Sequence, residues 1–284
     1  MQPAHSRIDI PGLRRTLRLF HLTDMHLTEA LASDTEYVRR LTVERRRVFR
    51  PQEAAPTEAT YRALLVQAQA LGADCVVMTG DILDCPSEGN LALLRETVGD
   101  AFYVVGNHDW CDPVNYPMKE PIRQKYQTLI RQATGQPPRM QARELEDVLL
   151  VGIDNSNYQV DDEQAAFVER QLGRGRPTLL LMHIPLYCPT LVEDTVRVWT
   201  SPILMGAPAE RFPDAGVFGE SIFPTPVTRD FCAFLRQASN LAAILAGHVH
   251  FHHEDLFAPG KPQLVTAAAA TDPVPARIVE LAPA

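Results

Sequence analysis

The run Leu17-Arg18-Leu19-Phe20-His21-Leu22-Thr23-Asp24-Met25-His26 decides how the chain is read. A strand-length apolar stretch followed by a carboxylate and an imidazole describes a buried strand that delivers polar groups at its carboxyl end. The pattern recurs along the chain. The strand candidate 75–78 runs into Gly80-Asp81, and 102–105 runs into Gly106-Asn107-His108-Asp109. The candidate 178–182 ends at His183, and 241–245 leads into Gly247-His248-Val249-His250. In open α/β sheets, ligands gather beyond the carboxyl ends of strands, so five motifs obeying one rule are expected to converge.

Each motif is weak by itself. Asp-x-His is common, although extended spacing would put Asp24 and His26 on one side of the backbone. Gly-Asp is usually a turn, and a lone histidine such as His183 is more often a satisfied core or loop residue. Gly106-Asn107-His108-Asp109 is more specific, because three polar side chains at a strand exit are costly unless they find partners. Alternate histidines after a buried strand, as in Gly247-His248-Val249-His250, chelate readily. Together the motifs supply seven oxygen or nitrogen ligands and one spare histidine, which suits a two-metal hydrolytic site. His252 and His253 are read as surface or supporting groups, and His5 and His21 as bystanders.

Composition sets the frame. The chain has 284 residues, 45% of them hydrophobic, enough for one large domain or two small ones. A formal charge of −8 disfavours a protein that coats nucleic acid but leaves room for a local basic patch. The first eleven residues are polar and lack a signal-peptide core. No run approaches the roughly 20 apolar residues of a membrane span. Five cysteines, an odd number with no CxxC spacing, suggest neither a disulfide framework nor a structural zinc site, so a reduced, cytoplasmic protein is expected. Cys75 reads as core. Cys85, Cys111 and Cys188 each follow a motif closely, and small buried residues are the plainer reading of them.

Helical patterns at 57–71, 91–98, 121–132, 162–172 and 228–238 alternate with the strands, with Asp161 or Asp162 capping one of them. The late strands 253–257, 263–267 and 277–281 are spaced like antiparallel hairpins. Two stretches resist the alternation, near 28–55 and 189–226, and read as insertions on one domain spanning 1–284.

On these residues the chain resembles the calcineurin-like metallophosphoesterase superfamily, whose pattern is D-x-H, G-D-x-x-D, G-N-H-D/E, H, G-H-x-H. The resemblance implies an α/β four-layer sandwich of two mixed β-sheets flanked by helices. It implies two metal ions, manganese, iron or zinc, sharing one carboxylate. Asp24, His26 and His250 would hold one ion, Asn107, His183 and His248 the other, and Asp81 would bridge. It also implies that His108 is not a ligand but stabilises the transition state or protonates the leaving oxygen, with Asp84 orienting it. Asp109 is either a supporting group or purely structural.

The departures from the pattern carry information. Purple acid phosphatases place a tyrosine three residues after the bridging aspartate, where this chain has Asp84. Ser/Thr protein phosphatases carry longer signatures than Gly80-Asp81-Ile82-Leu83-Asp84-Cys85 and Gly106-Asn107-His108-Asp109. The nearest look is the class III cyclic-nucleotide phosphodiesterase-like group, through Ile153-Asp154-Asn155-Ser156, Gln164-Ala165-Ala166-Phe167 and His183-Ile184-Pro185. The expected reaction is hydrolysis of a small organic phosphate, a diester before a monoester, by in-line attack of a hydroxide held by the metals. Phosphomonoesterase, nuclease and catalytically silent scaffold are the alternatives.

Two features bear on substrate. Residues 39–50 hold six arginines, Arg39, Arg40, Arg45, Arg46, Arg47 and Arg50, which form either a basic wall for phosphate or a solvated helix face pairing with Glu36 and Glu44. The second reading is favoured. The insertion 189–226 carries Trp199, Phe212, Phe218 and Phe223, which would stack a base, line an apolar pocket, form a satellite core or make a dimer contact. Expected partners are a small phosphoester and no membrane; nucleic acid is disfavoured and oligomerisation left open.

Overall fold

The computed structural model describes residues 2–49, 57–110, 120–212 and 220–284. Parallel strands buried on both faces need continuous apolar sequence, and that is what places the central strands here. β6 (Val148–Ile153), β7 (Thr178–Leu181) and β8 (Leu241–Ala246) are almost wholly buried. They pair in parallel, with β5 (Met140–Leu145) antiparallel to β6 at one edge. β10 (Lys261–Val265) lies parallel to β8, and β9 (His253–Ala258) antiparallel to β10, giving the order β5-β6-β7-β8-β10-β9.

The other sheet runs β1-β11-β2-β3-β4, from β1 (Ala4–Ile10), β2 (Leu17–Leu22), β3 (Cys75–Thr79), β4 (Phe102–Val104) and β11 (Arg277–Pro283). β2, β3 and β4 are parallel, while β11 runs antiparallel to β2 and parallel to β1. The last strand is therefore not part of a hairpin with β10, as its spacing suggested. It crosses to the opposite sheet. Only β9 and β10 form the expected hairpin.

Three buried clusters define the layers. Ile8, Leu17, Val77, Phe102 and Val104 of one sheet meet Leu150, Leu179, Leu181, Ala243 and Leu245 of the other. Helices α2 (Thr57–Ala70), α3 (Glu88–Thr97) and α4 (Glu120–Thr134) cover the first sheet, through Tyr61, Leu64, Leu94 and Ile130 against Phe20, Met78 and Tyr103. Helices α5 (Asp162–Leu172), α6 (Pro189–Trp199) and α7 (Pro226–Gln237) cover the second, through Val168, Leu191 and Phe231 against Val151, Leu180 and Ile244. The fold is α/β, with two mixed sheets face to face and helices outside both.

Local signals explain the helix starts. Asp161 caps α5 in a reciprocal box with Gln164. Ser87 caps α3, and Thr225 caps α7 ahead of Pro226 in its first turn. The insertion read near 28–55 carries a further helix, α1 (Glu36–Phe49). No helix among the described residues is long and apolar enough to cross a membrane. Cys75, Cys85, Cys188 and Cys232 are buried free thiols. Burial pushes the last three up to about 12, which makes them unreactive. Cys111 lies outside the described residues.

Gly152 sits where the sheets touch: a Cβ there would meet Phe102 Cε1 at 2.7 Å and Val104 Cγ2 at 2.9 Å. Gly152→Val is expected to overpack this layer by about 1–3 kcal/mol. At roughly 2–4 °C per kcal/mol the melting temperature falls by several degrees. An unchanged melting curve would contradict the close sheet contact.

Candidate metal centre

The polar motifs lie in loops that go on pairing after their strands end. The Asp24, His26 and Leu27 amides donate to the carbonyls of Gly80, Asp81 and Ile82, so the loops after β2 and β3 stay side by side. The Gly247 amide donates to the His183 carbonyl, joining the loops after β7 and β8 in the same way. Two glycines permit the crowding. A Cβ on Gly247 would overlap Thr23 and the Asp24 carboxylate, and one on Gly106 would overlap the Asp81 carboxylate.

The side chains turn inward through an uncommon backbone. Asp24, His26, Asp81, His248 and His250 have φ of 50, 46, 51, 71 and 64°. Non-glycine residues seldom enter this left-handed region, and such strain is held where surrounding structure over-determines it. Asp24 and His26 therefore reach a common point through left-handed turns and not through extended alternation, which corrects the sequence-based reasoning.

The arrangement forms adjoining sets. Asp24, His26 and His250 bring one ligand atom each within 4.8 Å of one another, as do Asp81, His183 and His248. In the first set, His250 Nε2 stands 3.3 Å from Asp24 Oδ1 and 3.2 Å from His26 Nε2. In the second, His183 Nε2 lies 3.2 Å from Asp81 Oδ2 and 3.2 Å from His248 Nδ1. The two histidines of Gly247-His248-Val249-His250 thus serve different sets. Asp24 Oδ1, Asn107 Oδ1 and, in the core, Tyr103 Oη are the described side-chain atoms buried without a hydrogen-bond partner. Buried lone pairs without a donor are costly, and a cation is what such oxygens accept. The donors present, imidazole nitrogens with carboxylate and amide oxygens, therefore fit divalent metal ions.

Titration follows the same crowding. Burial raises the cost of charge on Asp24 and Asp81, but the neighbouring imidazoles outweigh it and hold both carboxyls far below the usual range. Burial also opposes charge on His183, yet Asp81 and Asp24 prevail and hold it up to about 10. Burial and the charge of His183 depress His248 to about 3.

Behind these groups lies a layer of orienting contacts. The Thr79 carbonyl accepts from His183 Nδ1 at 2.8 Å, which turns Nε2 inward. The Tyr158 hydroxyl meets His248 Nε2 at 3.0 Å, turning Nδ1 inward. Asp24 Oδ2 accepts from Thr23 Oγ1 and the His248 amide. Asp109 accepts from the amides of Asp81, Leu83 and Gly106, tying two motif loops together. Asn155 accepts from the His183 and Ile184 amides and donates to the Ile184 carbonyl.

Asp84 stands between two imidazoles. Its Oδ1 lies 3.1 Å from His26 Nδ1 and 3.3 Å from His108 Nδ1. Burial disfavours charge on His108, but Asp81 and Asp84 overcome it and hold the imidazole up to about 9. The remaining histidines stand apart. His21 is buried between the Thr79 and Thr266 hydroxyls, His252 binds the Val274 carbonyl, and His253 pairs with Asp194 and Asp255.

The arginine run behaves differently from its expected pairing. Arg45 and Arg46 pair with Asp84 and Glu29, not with Glu36 and Glu44. Nothing in the run distinguished Arg45 from its neighbours, and nothing marked Tyr158. From the second insertion, Trp199 brings its ring edge-on to His250, with centroids 5.2 Å apart. Phe212 packs instead on Tyr187, and Phe218 lies outside the described residues.

The family model for calcineurin-like phosphoesterases matches residues 17–252. The chain belongs to the calcineurin-like phosphoesterase family. No functionally curated protein matches it. Among solved structures it is similar to a dimetal phosphatase from Danio rerio, with TM-score 0.54 and 14% identity over 92% of this chain and 90% of that one. It is also similar to a purple acid phosphatase from yellow lupin (Lupinus luteus) seeds, with TM-score 0.51 and 14% identity over 92% of this chain. The match spans 45% of the lupin enzyme. At that identity the likeness is one of fold.

Metal binding to this centre should release protons. His183 is held up to about 10 and must lose its proton to offer a lone pair, whereas His248 is already neutral. At pH 7–8 calorimetry in buffers of different ionisation enthalpy should find about one proton released from the ligands, with affinity falling as pH drops. Release of none would contradict the charge state derived for His183.

Proposed function

We propose that the chain is a dinuclear metal-dependent phosphodiesterase acting on a small organic phosphodiester. The observation that carries this reading is the pair of ligand sets around buried carboxylates, with His108 fixed beside them. In this reading Asp24, His26 and His250 would hold one ion, Asn107, His183 and His248 the other, and Asp81 would contribute to both. Support for the bridge is that His183 and His26 both lower the Asp81 carboxyl, so its charge faces both sets. Support for Asn107 as a ligand is its partnerless buried oxygen. Manganese, iron and zinc all suit this donor set. Bound there, the ions would neutralise charge on the phosphoryl oxygens and lower the pKa of water.

The chain's own groups do the rest. Asp84 Oδ1 and the Asp84 carbonyl both lie 3.3 Å from His108 Nδ1, which fixes the ring and directs Nε2 outward. Asp84 beside Nδ1 favours the charged imidazole, so His108 is placed to give its proton to the departing oxygen. Trp199 beside His250 offers an apolar edge to the organic part of the ester. The engagement of Arg45 and Arg46 with acidic and backbone groups also weighs against a nucleic-acid wall. The Asn155 clamp on the His183 loop is consistent with the class III cyclic-nucleotide phosphodiesterase-like group. Free buried thiols suit a reducing, cytoplasmic setting.

Hydrolysis of bis(p-nitrophenyl) phosphate and p-nitrophenyl phosphate, after chelation and refilling with manganese, tests the reading. Diester turnover should need the metal and disappear in Asp81→Ala. His108→Ala should retain its metals and lose about 10²–10⁴-fold in kcat. Full activity in His108→Ala would remove its assigned role. A protein with two metals bound that hydrolyses neither ester would refute the phosphodiesterase reading.

A further inference from the structure

Asp84 is 3% exposed at its side chain and carries demands from two sides. It accepts from His26, one of the proposed ligands, and from His108, the proposed acid. A carboxylate shared between two imidazoles 4.8 Å apart would drift toward one of them unless it were anchored from behind. The anchor is Arg45. Its Nε donates to Oδ2 at 2.7 Å and its Nη2 to Oδ1 at 2.8 Å, the two-pronged geometry that fixes a carboxylate in plane and position.

Arg45 itself is set by the helix that carries it. Arg46 donates to Thr28 Oγ1 and the Thr28 carbonyl and pairs with Glu29. Arg39 donates to the carbonyls of Ala32 and Asp34. The Asp34 carboxylate in turn accepts from the Glu88 and Gly89 amides at the start of α3. Thus α1 is tied at both ends to the segment that follows Asp24-Met25-His26. Arg45, on its third turn, reaches across to the loop after β3.

We propose that Arg45 is a positioning residue for the phosphodiester reaction: supplied by the inserted helix α1, it locks Asp84 so that His108 and His26 are held in register. The inference rests on the function proposed above. Arg45 acts through Asp84 and not on the substrate, so its removal affects the chemical step more than substrate binding.

Four variants and one control test it. Arg45→Ala should lower kcat by about 10–100-fold at saturating manganese, with KM little changed. Arg45→Lys, which keeps charge but not the fork, should recover only part of this. Asp84→Asn should abolish most of the Arg45 effect, so that Asp84→Asn/Arg45→Ala is no worse than Asp84→Asn. Arg47→Ala, at an exposed position two residues on, should match wild type.

A readout free of turnover accompanies the kinetics. In ¹⁵N-histidine spectra of the full chain, the Nδ1 protons of His108 and His26 should exchange with water faster in Arg45→Ala than in wild type. Independent, multiplying effects of Arg45→Ala and Asp84→Asn would overturn the inference, as would unchanged exchange of both protons. If wild type hydrolyses no ester, the proposed reaction fails, and the exchange measurement still decides whether Arg45 locks Asp84.

Discussion

Two buried carboxylates and four buried or half-buried imidazoles meet within a few ångströms, and the rest of the molecule is arranged to sustain that meeting. Without compensation it is unfavourable. Asp24 and Asp81 repel each other, the buried Asn107 Oδ1 has no hydrogen-bond partner, and five of the converging residues sit in strained backbone. A cation between the sets would relieve the repulsion and give the Asn107 oxygen a partner. A protein that keeps all of these costs at one place is one in which a cation belongs there.

The double sheet makes the convergence geometric. The carboxyl ends of β2, β3 and β4 bring Asp24, His26, Asp81 and Asn107 to the rim of one sheet. Those of β7 and β8 bring His183, His248 and His250 to the rim of the other. Because the inner faces pack directly on each other, the two rims adjoin, and the His248 amide can donate to Asp24 across them. Asp109 and Asn155 then lock the loops on either side. The converging groups vary in exposure, from buried His183 to His108 at 26% side-chain exposure, so the cluster opens on the His108 side.

Most of the fold was legible because central parallel strands are apolar throughout. β6, β7 and β8 announce themselves in this way, and the polar residues after them stand out by contrast. The edge strands β1 and β5 were not legible. β1 alternates buried and exposed residues, and β5 is half-exposed, so neither shows a run. The partner of β11 was hidden for another reason: closeness in sequence to β10 says nothing about which sheet a strand joins. In the site, residues placed by backbone direction, such as Asp24 or His248, were visible as motifs. Those acting through long side chains were not. Arg45 reaches Asp84 from a helix 39 positions away, and Tyr158 reaches His248 across 90. Composition around them gives no sign of those contacts.

Anomalous diffraction from crystals of the manganese-loaded chain tests whether two ions share Asp81. Two anomalous peaks about 3.5–4 Å apart are expected, one beside Asp24, His26 and His250, the other beside Asn107, His183 and His248, with the Asp81 carboxylate between. A single peak, or two that Asp81 does not join, would contradict it.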